Sequence, residues 1–228
     1  MDNDLRGAVA EFIGTFALVF IACASMVMAS EALGGSLVGV ALATGLTVAV
    51  MVAAIGHLSG GHINPAVTAG LLVAGKIGAT KAAGYWIAQL LGAVVAALAV
   101  NAILPASFTD PVALGTPHIG QPGVGTGAAV VLEAILTFFL VFVYFATAVD
   151  RGGAFDKVAG LVIGLVVTAG ILAGGPITGA AMNPARWFGP AVVSGTWADA
   201  WVYIVGPIVG GVIAAVVYAT VFQRGQDA

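Results

Sequence analysis

The tripeptide Asn-Pro-Ala occurs twice in this chain, at Asn64, Pro65 and Ala66 and again at Asn183, Pro184 and Ala185. Each copy predicts a helix start, because Asn is a favoured N-cap and Pro fits the first helical position. A Gly-containing segment precedes each copy, and apolar runs at 67–74 and 187–193, too short to cross a bilayer, follow. Because a helix of about ten residues is roughly 15 Å long, two meeting at their N-termini would span one hydrocarbon thickness. We therefore expect two half-helices that bridge a membrane between them.

The composition places the chain in a membrane. Of its 228 residues, 61% are apolar and only 7% are charged, and the mean hydropathy is +1.11. Six apolar segments are long enough to span, at about 8–28, 35–55, 82–104, 127–149, 158–174 and 201–222. The first is predicted to be a mature span rather than a signal peptide, because it contains Glu11 and no cleavage site follows. We predict a single all-α transmembrane domain with six transmembrane helices and two re-entrant half-helices.

The charges predict an orientation. Six of the seven basic residues fall on one side of the six spans: Arg6, Lys76, Lys81, Arg151, Lys157 and Arg224. The other side carries Glu31, Asp110 and Asp199 and no lysine. The positive-inside rule then predicts cytoplasmic N- and C-termini. The net charge of −3 and the lack of a basic patch argue against a nucleic-acid partner.

The chain is one unit written twice. Residues 11–20 and 133–142 are identical at seven of ten positions, 122 residues apart, and the two Asn-Pro-Ala copies are 119 apart. This spacing predicts repeats over about 1–104 and 127–228, joined by a Pro- and Gly-rich extracellular connector at about 105–126. Three spans per repeat make the second repeat inverted, with the functional site at the membrane midplane where broken helices meet.

Irregular backbone is tolerated at membrane depth only where it is buried or lines water. The segments 59–63 and 178–182 can therefore offer carbonyl oxygens to a passing molecule, and the candidates are Gly60, Gly61, His62, Ile63, Gly179 and Ala181. Asn64 and Asn183 can each donate a side-chain N–H beside a positive helix N-terminus. A water that accepts both bonds points its hydrogens outward, which interrupts a proton wire. Cations are disfavoured by the positive helix ends and by lost hydration.

Three charged residues and two histidines lie in or next to the predicted spans and broken segments. Arg186 breaks the charge pattern at membrane depth, where such a residue faces a cavity or a partner. Glu11 and Glu133 occupy equivalent positions; proton coupling is one interpretation, but a structural role, accepting from backbone N–H groups of the broken segments, fits better. His57 is a candidate gate or loop-fixing donor, and His62 a candidate lining residue.

Other chemistry finds little support. The single Cys23 excludes an intrachain disulfide and is interpreted as a small buried hydrophobe. No spacing suits a metal, no cofactor motif is present, and no nucleophile is paired with a base, so no enzyme is predicted. A secondary transporter also uses inverted repeats and broken helices, but the chain lacks an obvious coupling-ion site. A channel is the preferred interpretation, and a purely structural protein is disfavoured.

Three segments, at residues 10–16, 59–68 and 182–186, resemble the aquaporin (major intrinsic protein) family. The resemblance implies a right-handed bundle of six spans and two half-helices, a pore in each subunit and a homotetramer in the lipid bilayer. It also implies passive flow of water or small neutral solutes. The family's outer constriction corresponds here to Thr44, Ile171, Ala180 and Arg186.

Strict water channels of that family usually have Phe and His where this chain has Thr44 and Ile171, so a wider and less polar constriction is expected. Residues 171–180 look like plant vacuolar members, although those usually have His in place of Thr44. Trp187 departs from glycerol-type members, which have Asp after the Arg. We predict a water channel in the cell membrane that also passes ammonia, urea, hydrogen peroxide or glycerol and excludes ions and protons. The alternative is a dedicated neutral-solute facilitator.

Overall fold

The structure is a computed structural model that describes residues 3–30, 35–150 and 156–223. Its α-helices are α1 (Asn3–Met28), α2 (Leu37–Ser59), α3 (Pro65–Val73), α4 (Ala79–Ile103), α5 (Ala106–Thr109), α6 (Thr126–Tyr144), α7 (Ala159–Thr178), α8 (Pro184–Ser194) and α9 (Ala200–Val217). Short 3-10 turns lie at Asp110–Gly115 and Asp156–Val158, and π-turns extend α6 over Phe145–Val149 and α9 over Tyr218–Phe222. Glu31, Arg151 and Arg224, used to predict orientation, lie outside the described residues.

Six of these helices are long and apolar enough to cross a membrane: α1, α2, α4, α6 with its π-turn, α7 and α9 with its π-turn. The predicted six spans are thus confirmed. Two of them run four residues further than expected, to Ser59 and Thr178, because the apolar periodicity does not mark their ends. They end instead at Gly60 and Gly179, whose left-handed backbone caps both helices.

Six alternating spans give the bundle two faces. We call the face where α1 begins and α9 ends the terminal face, and the opposite one the connector face. Residues 60–64 and α3 enter the bundle from the terminal face, whereas 179–183 and α8 enter from the connector face. The second repeat is therefore inverted relative to the first, as its odd number of spans requires.

Small residues let the helices approach closely. The two central spans, α2 and α7, pack along one another, and a side chain on Gly45 would collide with Gly164 and Thr168. In the outer pairs α1–α4 and α6–α9, Gly92 and Gly210 lie against main-chain oxygens of the facing helix. Membrane helices associate through close backbone contacts of this kind, because lipid is as apolar as their side chains and the hydrophobic effect does not drive them together.

Each half-helix packs on the other repeat. The helix α3 of the first repeat lies against α9, where Gly70 faces the carbonyl of Gly211. Symmetrically, α8 of the second repeat lies against α4, where Gly189 faces Ala93. The two repeats therefore interlock, and neither broken segment is held by its own repeat alone.

The connector at 105–126 is more ordered than the loop predicted for it. It contains α5 and the 3-10 turn, and the side chain of Leu114 is buried in one apolar cluster with Val19 and Cys23 of α1. Further along, the N–H of Gly120 donates to the carbonyl of Ile177 at 3.0 Å. These contacts hold the connector against the end of α7, next to the second broken segment.

Candidate functional site

The two asparagines start the half-helices and also tie the two broken segments together. The Oδ1 of Asn64 accepts from Ala66 N–H at 2.8 Å, and that of Asn183 accepts from Ala185 N–H at 2.9 Å. Both are therefore N-caps, with Pro next in the chain, as predicted. The Nδ2 of Asn64 donates to the Met182 carbonyl at 2.8 Å, and the Nδ2 of Asn183 to the Ile63 carbonyl at 2.9 Å. Since an amide carries two hydrogens, one remains on each for a molecule beside it.

Two buried carboxyl groups hold the broken segments in place. Glu11 accepts from the Ser59 hydroxyl at 2.6 Å, from His62 N–H at 2.8 Å and from Ile63 N–H at 2.6 Å. Glu133 accepts from Thr178 Oγ1 at 2.7 Å, Ala181 N–H at 3.0 Å and Met182 N–H at 2.8 Å. The expected hydrogen bonds from backbone N–H groups to these carboxyl groups are thus present. Both groups are fully buried and act on backbone that no helix satisfies.

The two segments have the same unusual backbone. Positive φ angles occur at Gly60, Gly61 and Ile63 (94°, 67° and 43°) and at the equivalent Gly179, Ala180 and Met182 (81°, 45° and 51°). A non-glycine residue in this region costs about 1–2 kcal/mol. The hydrogen bonds that the carboxyl groups accept and the asparagine amides donate stabilise that conformation.

Part of the predicted carbonyl row is already bonded to the protein. Ser59 and Thr178 carbonyls accept from Tyr85 and Tyr203, both at 3.0 Å. The Gly60 carbonyl accepts from Tyr144 at 2.7 Å, and Ile63 and Met182 accept from the asparagines. Within the described residues, the carbonyls left without a protein donor are those of Gly61, His62, Gly179, Ala180 and Ala181.

A cavity of about 370 Å³ runs past these groups. Both asparagines line it, together with Gly61, His62, Ile63, Gly179, Ala180 and Ala181. Apolar side chains of α2 and α7, including Val48, Val52, Ile163 and Val167, form much of the remaining wall. The arrangement offers a few fixed donors and acceptors along an otherwise apolar passage.

The four expected constriction residues, Thr44, Ile171, Ala180 and Arg186, line the same cavity. Arg186 is buried in the first turn of α8, and its Nη1 donates to the Gly115 carbonyl of the connector at 3.0 Å. The Thr44 hydroxyl is buried and has no hydrogen-bond partner in the part of the chain that the structure describes. This end of the cavity thus holds a fixed cation, a spare hydroxyl and the apolar Ile171.

Comparison with known proteins decides the family. The model of the family "Major intrinsic protein" matches residues 2–218. The chain belongs to this family, that of the aquaporins. Aquaporin TIP4-4 of Zea mays is 48% identical over 231 residues, covering 98% of this chain and 90% of its own. Probable aquaporin TIP2-2 of Oryza sativa subsp. japonica is 45% identical with the same coverage.

A solved structure agrees. The X-ray structure of the aquaglyceroporin from Plasmodium falciparum has a TM-score of 0.84 and 29% identity, and 96% of each chain is covered. The resemblance drawn from the Asn-Pro-Ala segments is therefore confirmed. Aquaporins are water channels rather than enzymes, which agrees with the missing nucleophile–base pair.

The two histidines of this aquaporin have different surroundings. His62 is buried, its Nδ1 lies 2.9 Å from Thr68 Oγ1, and its ring meets those of Tyr85 and Tyr144 edge-on. His57 is exposed at the end of α2 and lines a second cavity of about 570 Å³ on the terminal face. A gating role for His57 stays a prediction.

Sequence reasoning missed two residues of the aquaporin's central region. The Nε2 of Gln89 donates to Glu11 at 2.8 Å and to Thr68 Oγ1 at 3.0 Å. An amide inside an apolar span was a usable signal, because buried polar side chains need partners. Tyr144, whose hydroxyl reaches the first broken segment, gave a weaker signal because tyrosine also suits membrane interfaces.

Proposed function

We propose that this aquaporin conducts water together with small uncharged solutes, through an outer constriction wider and less polar than that of a strict water channel. The observation that carries the proposal is the set of side chains at the connector end of the cavity. There, the side chains of Ile171 and Ala180 have no polar group, and that of Thr44 is shorter than an aromatic side chain. Ammonia, urea, hydrogen peroxide and glycerol are the solute classes that such an opening favours.

Conduction rests on an exchange of hydrogen bonds. A molecule that enters at the connector face meets Arg186 and the Thr44 hydroxyl, then the carbonyls of Gly179, Ala180 and Ala181. These replace part of its hydration, so a small neutral molecule enters without leaving many bonds unmade. Apolar walls on the opposite side bind it weakly, which allows it to leave.

Ions and protons are excluded at the asparagines. The free amide hydrogens of Asn64 and Asn183 and the N-termini of α3 and α8 place positive potential at one point. A water there accepts through its oxygen and cannot pass a proton along a continuous chain of donors. The Arg186 guanidinium repels cations before they reach that point.

Stopped-flow light scattering on proteoliposomes tests the proposal. Shrinkage in an impermeant osmolyte measures water flow, and re-swelling in urea or glycerol measures solute entry. Rapid shrinkage followed by re-swelling is the expected result, and Ile171→His should suppress re-swelling about tenfold while water flow persists. Leu172→His is the matched control. Leu172 follows Ile171 in the chain, but its side chain is 43% exposed on the outside of α7 and does not line the cavity.

Other outcomes identify the alternatives. Water flow without solute entry would make the protein a strict water channel, and solute entry without rapid water flow a dedicated facilitator. Saturating, ion-dependent uptake would indicate a secondary transporter. Within the proposal, flux is linear in the gradient and independent of sodium or pH gradients.

The channel is further proposed to lie in the cell membrane as a homotetramer, with both termini in the cytoplasm. The four basic residues at the terminal face that the structure describes, Arg6, Lys76, Lys81 and Lys157, support that orientation. Lys76 and Ala198 lie on opposite faces, so Lys76→Cys and Ala198→Cys each place one labelling site on a known face. The native Cys23 is buried. An impermeant thiol reagent added to intact cells should label only Ala198→Cys, and light scattering in detergent measures the subunit number.

A further inference from the structure

The terminal half of the passage carries a tyrosine that the other half lacks. Tyr144, at the end of α6, donates its hydroxyl proton to the carbonyl of Gly60 at 2.7 Å. In the other repeat, 122 positions earlier, the equivalent residue is Ala22. The carbonyl of Gly179, the counterpart of Gly60, accepts from no donor within the described residues. Tyr144 therefore breaks the internal symmetry at a carbonyl beside the passage.

Tyr144 also lines two cavities. The central cavity and the second cavity on the terminal face share two lining residues, Val52 and Tyr144. The ring of Tyr144 is 3% exposed and stands edge-on to the His62 ring, with centroids 6.0 Å apart and an interplanar angle of 88°. Tyr144 and His62 thus lie side by side at the end of the central cavity that is nearer the terminal face.

The groups around Gly60 and Tyr144 are closely packed. A Cβ placed on Gly60 would lie 2.9 Å from His62 Nε2 and 3.3 Å from the Tyr144 hydroxyl. The backbone at Gly60, the His62 imidazole and the Tyr144 phenol are thus in close contact.

From this placement we infer that Tyr144 is a specificity-determining residue: a second constriction on the terminal side of the asparagines, which selects against solutes larger than water. The inference rests on the proposed function, in which the connector end is open to neutral solutes. Two constrictions then act in series, and the narrower one decides which solute crosses.

Ring and hydroxyl act in different ways. The ring takes up cross-section, which penalises glycerol more than urea and urea more than water. The hydroxyl occupies the Gly60 carbonyl, so a solute passing here finds protein-free acceptors only at Gly61 and His62. A water molecule is served by one or two acceptors, whereas a solute with several N–H or O–H donors leaves some of them unpaired.

Two substitutions separate these effects in the proteoliposome assay. Tyr144→Phe keeps the ring and frees the carbonyl, so urea permeability should rise about fivefold, the worth of one hydrogen bond. Tyr144→Leu also removes the ring, so glycerol permeability should rise about tenfold. Water permeability per channel should change less than about twofold in both, because one freed acceptor adds little for so small a molecule.

Tyr218→Phe is the matched control. This tyrosine lies at the same face, but its hydroxyl donates to Asp150 at 2.9 Å and it lines neither cavity. Water, urea and glycerol permeabilities should match those of the unmodified channel. If Tyr144→Leu fails to fold, Tyr144→Phe decides alone, because it changes a single oxygen.

The outcomes distinguish this inference from the proposed function. An unmodified channel that passes water and urea, with Tyr144 variants that change neither urea nor glycerol flow, would overturn the inference and leave the proposed function standing. An unmodified channel that passes water only, with solute flow opened by Tyr144→Leu, would support the inference and remove solute transport from the native function. Equal rises in water, urea and glycerol would also count against it, since a size-selective barrier must discriminate.

Discussion

The two broken segments, residues 59–63 and 178–182, have the same backbone conformation but different surroundings. Each has an asparagine cap bonded to the opposite segment, a buried carboxyl group that accepts from two backbone N–H groups, and a tyrosine on its first carbonyl. Around the first lies a polar network, and around the second an aromatic cluster. The shared parts are those that any re-entrant segment needs to fold; the differences give the two ends of the passage their separate chemistry.

The first segment is surrounded by polar side chains. Gln89 joins Glu11 to Thr68, and Thr68 in turn meets His62. Every member is buried. Because such a network fixes several side chains at once, it holds His62 beside the cavity in one orientation.

The second segment has apolar and aromatic groups at the equivalent positions. Pro207 replaces Gln89, Trp187 replaces Thr68 and Ala181 replaces His62. The Trp187 ring stacks on Tyr203, with centroids 5.8 Å apart and an interplanar angle of 10°. Aromatic packing thus takes the place of the hydrogen bonds that Gln89 and Thr68 make around the first segment, while Glu133 still accepts from the backbone here.

The largest difference should appear when each carboxyl group becomes an amide. In Glu11 each oxygen accepts two bonds, Ser59 and His62 on one and Ile63 and Gln89 on the other. In Glu133 one oxygen accepts only from Met182. When the carboxyl group is replaced by an amide, the NH₂ takes the place of the oxygen that accepts fewer bonds. It then faces two donors at position 11 and one donor at position 133.

At about 2 kcal/mol for each unsatisfied buried donor, Glu11→Gln should lower the free energy of unfolding by about 4 kcal/mol and Glu133→Gln by about 2 kcal/mol. Reversible unfolding in mixed micelles measures both. Equal losses would mean that the fourth bond to Glu11 contributes nothing.

The second prediction removes Gln89, the residue responsible for the expected difference between the Glu11 and Glu133 variants. Gln89→Leu deletes the donor that only the first segment has, so that Glu11 keeps the same kinds of partner as Glu133. In that background Glu11→Gln should cost about 2 kcal/mol, the single-donor value. The coupling energy of the double-mutant cycle is then about 2 kcal/mol. Gln89→Leu combined with Glu133→Gln is the control, and those two changes should be additive.

The internal repeat explains what the sequence could predict. Because Asn64 and Asn183 recur in register, their caps, the two half-helices and the carboxyl contacts followed from local rules. The Gly60 and Gly179 helix ends lay four residues beyond the predicted ones, since a capping glycine among many glycines carries no distinct signal.

The asymmetric contacts were not predictable in the same way. Tyr144 meets Gly60 of the other repeat across 84 positions, and Arg186 meets Gly115 of the connector across 71. No periodicity within one segment encodes such a pair. The connector was expected to be a loop for the same reason: Leu114 becomes an anchor only once α1 is beside it.

The smallest effect tests the symmetry itself. Tyr85→Phe and Tyr203→Phe each remove one hydroxyl that donates to the first carbonyl of a broken segment, both at 3.0 Å. Each should lower the free energy of unfolding by about 1 kcal/mol, the net worth of one hydrogen bond, and the two losses should agree within about 0.5 kcal/mol. The rings keep their neighbours, His62 for Tyr85 and Trp187 for Tyr203, so packing is unchanged.

Neither hydroxyl lines the cavity, so any loss of permeability in these variants must act through the segment's shape. Unequal losses of stability would show that the polar and aromatic surroundings differ in how well they hold the backbone. The two broken segments would then not share a common scaffold. A hydrogen bond of the same length to an equivalent carbonyl would contribute a different free energy in each repeat.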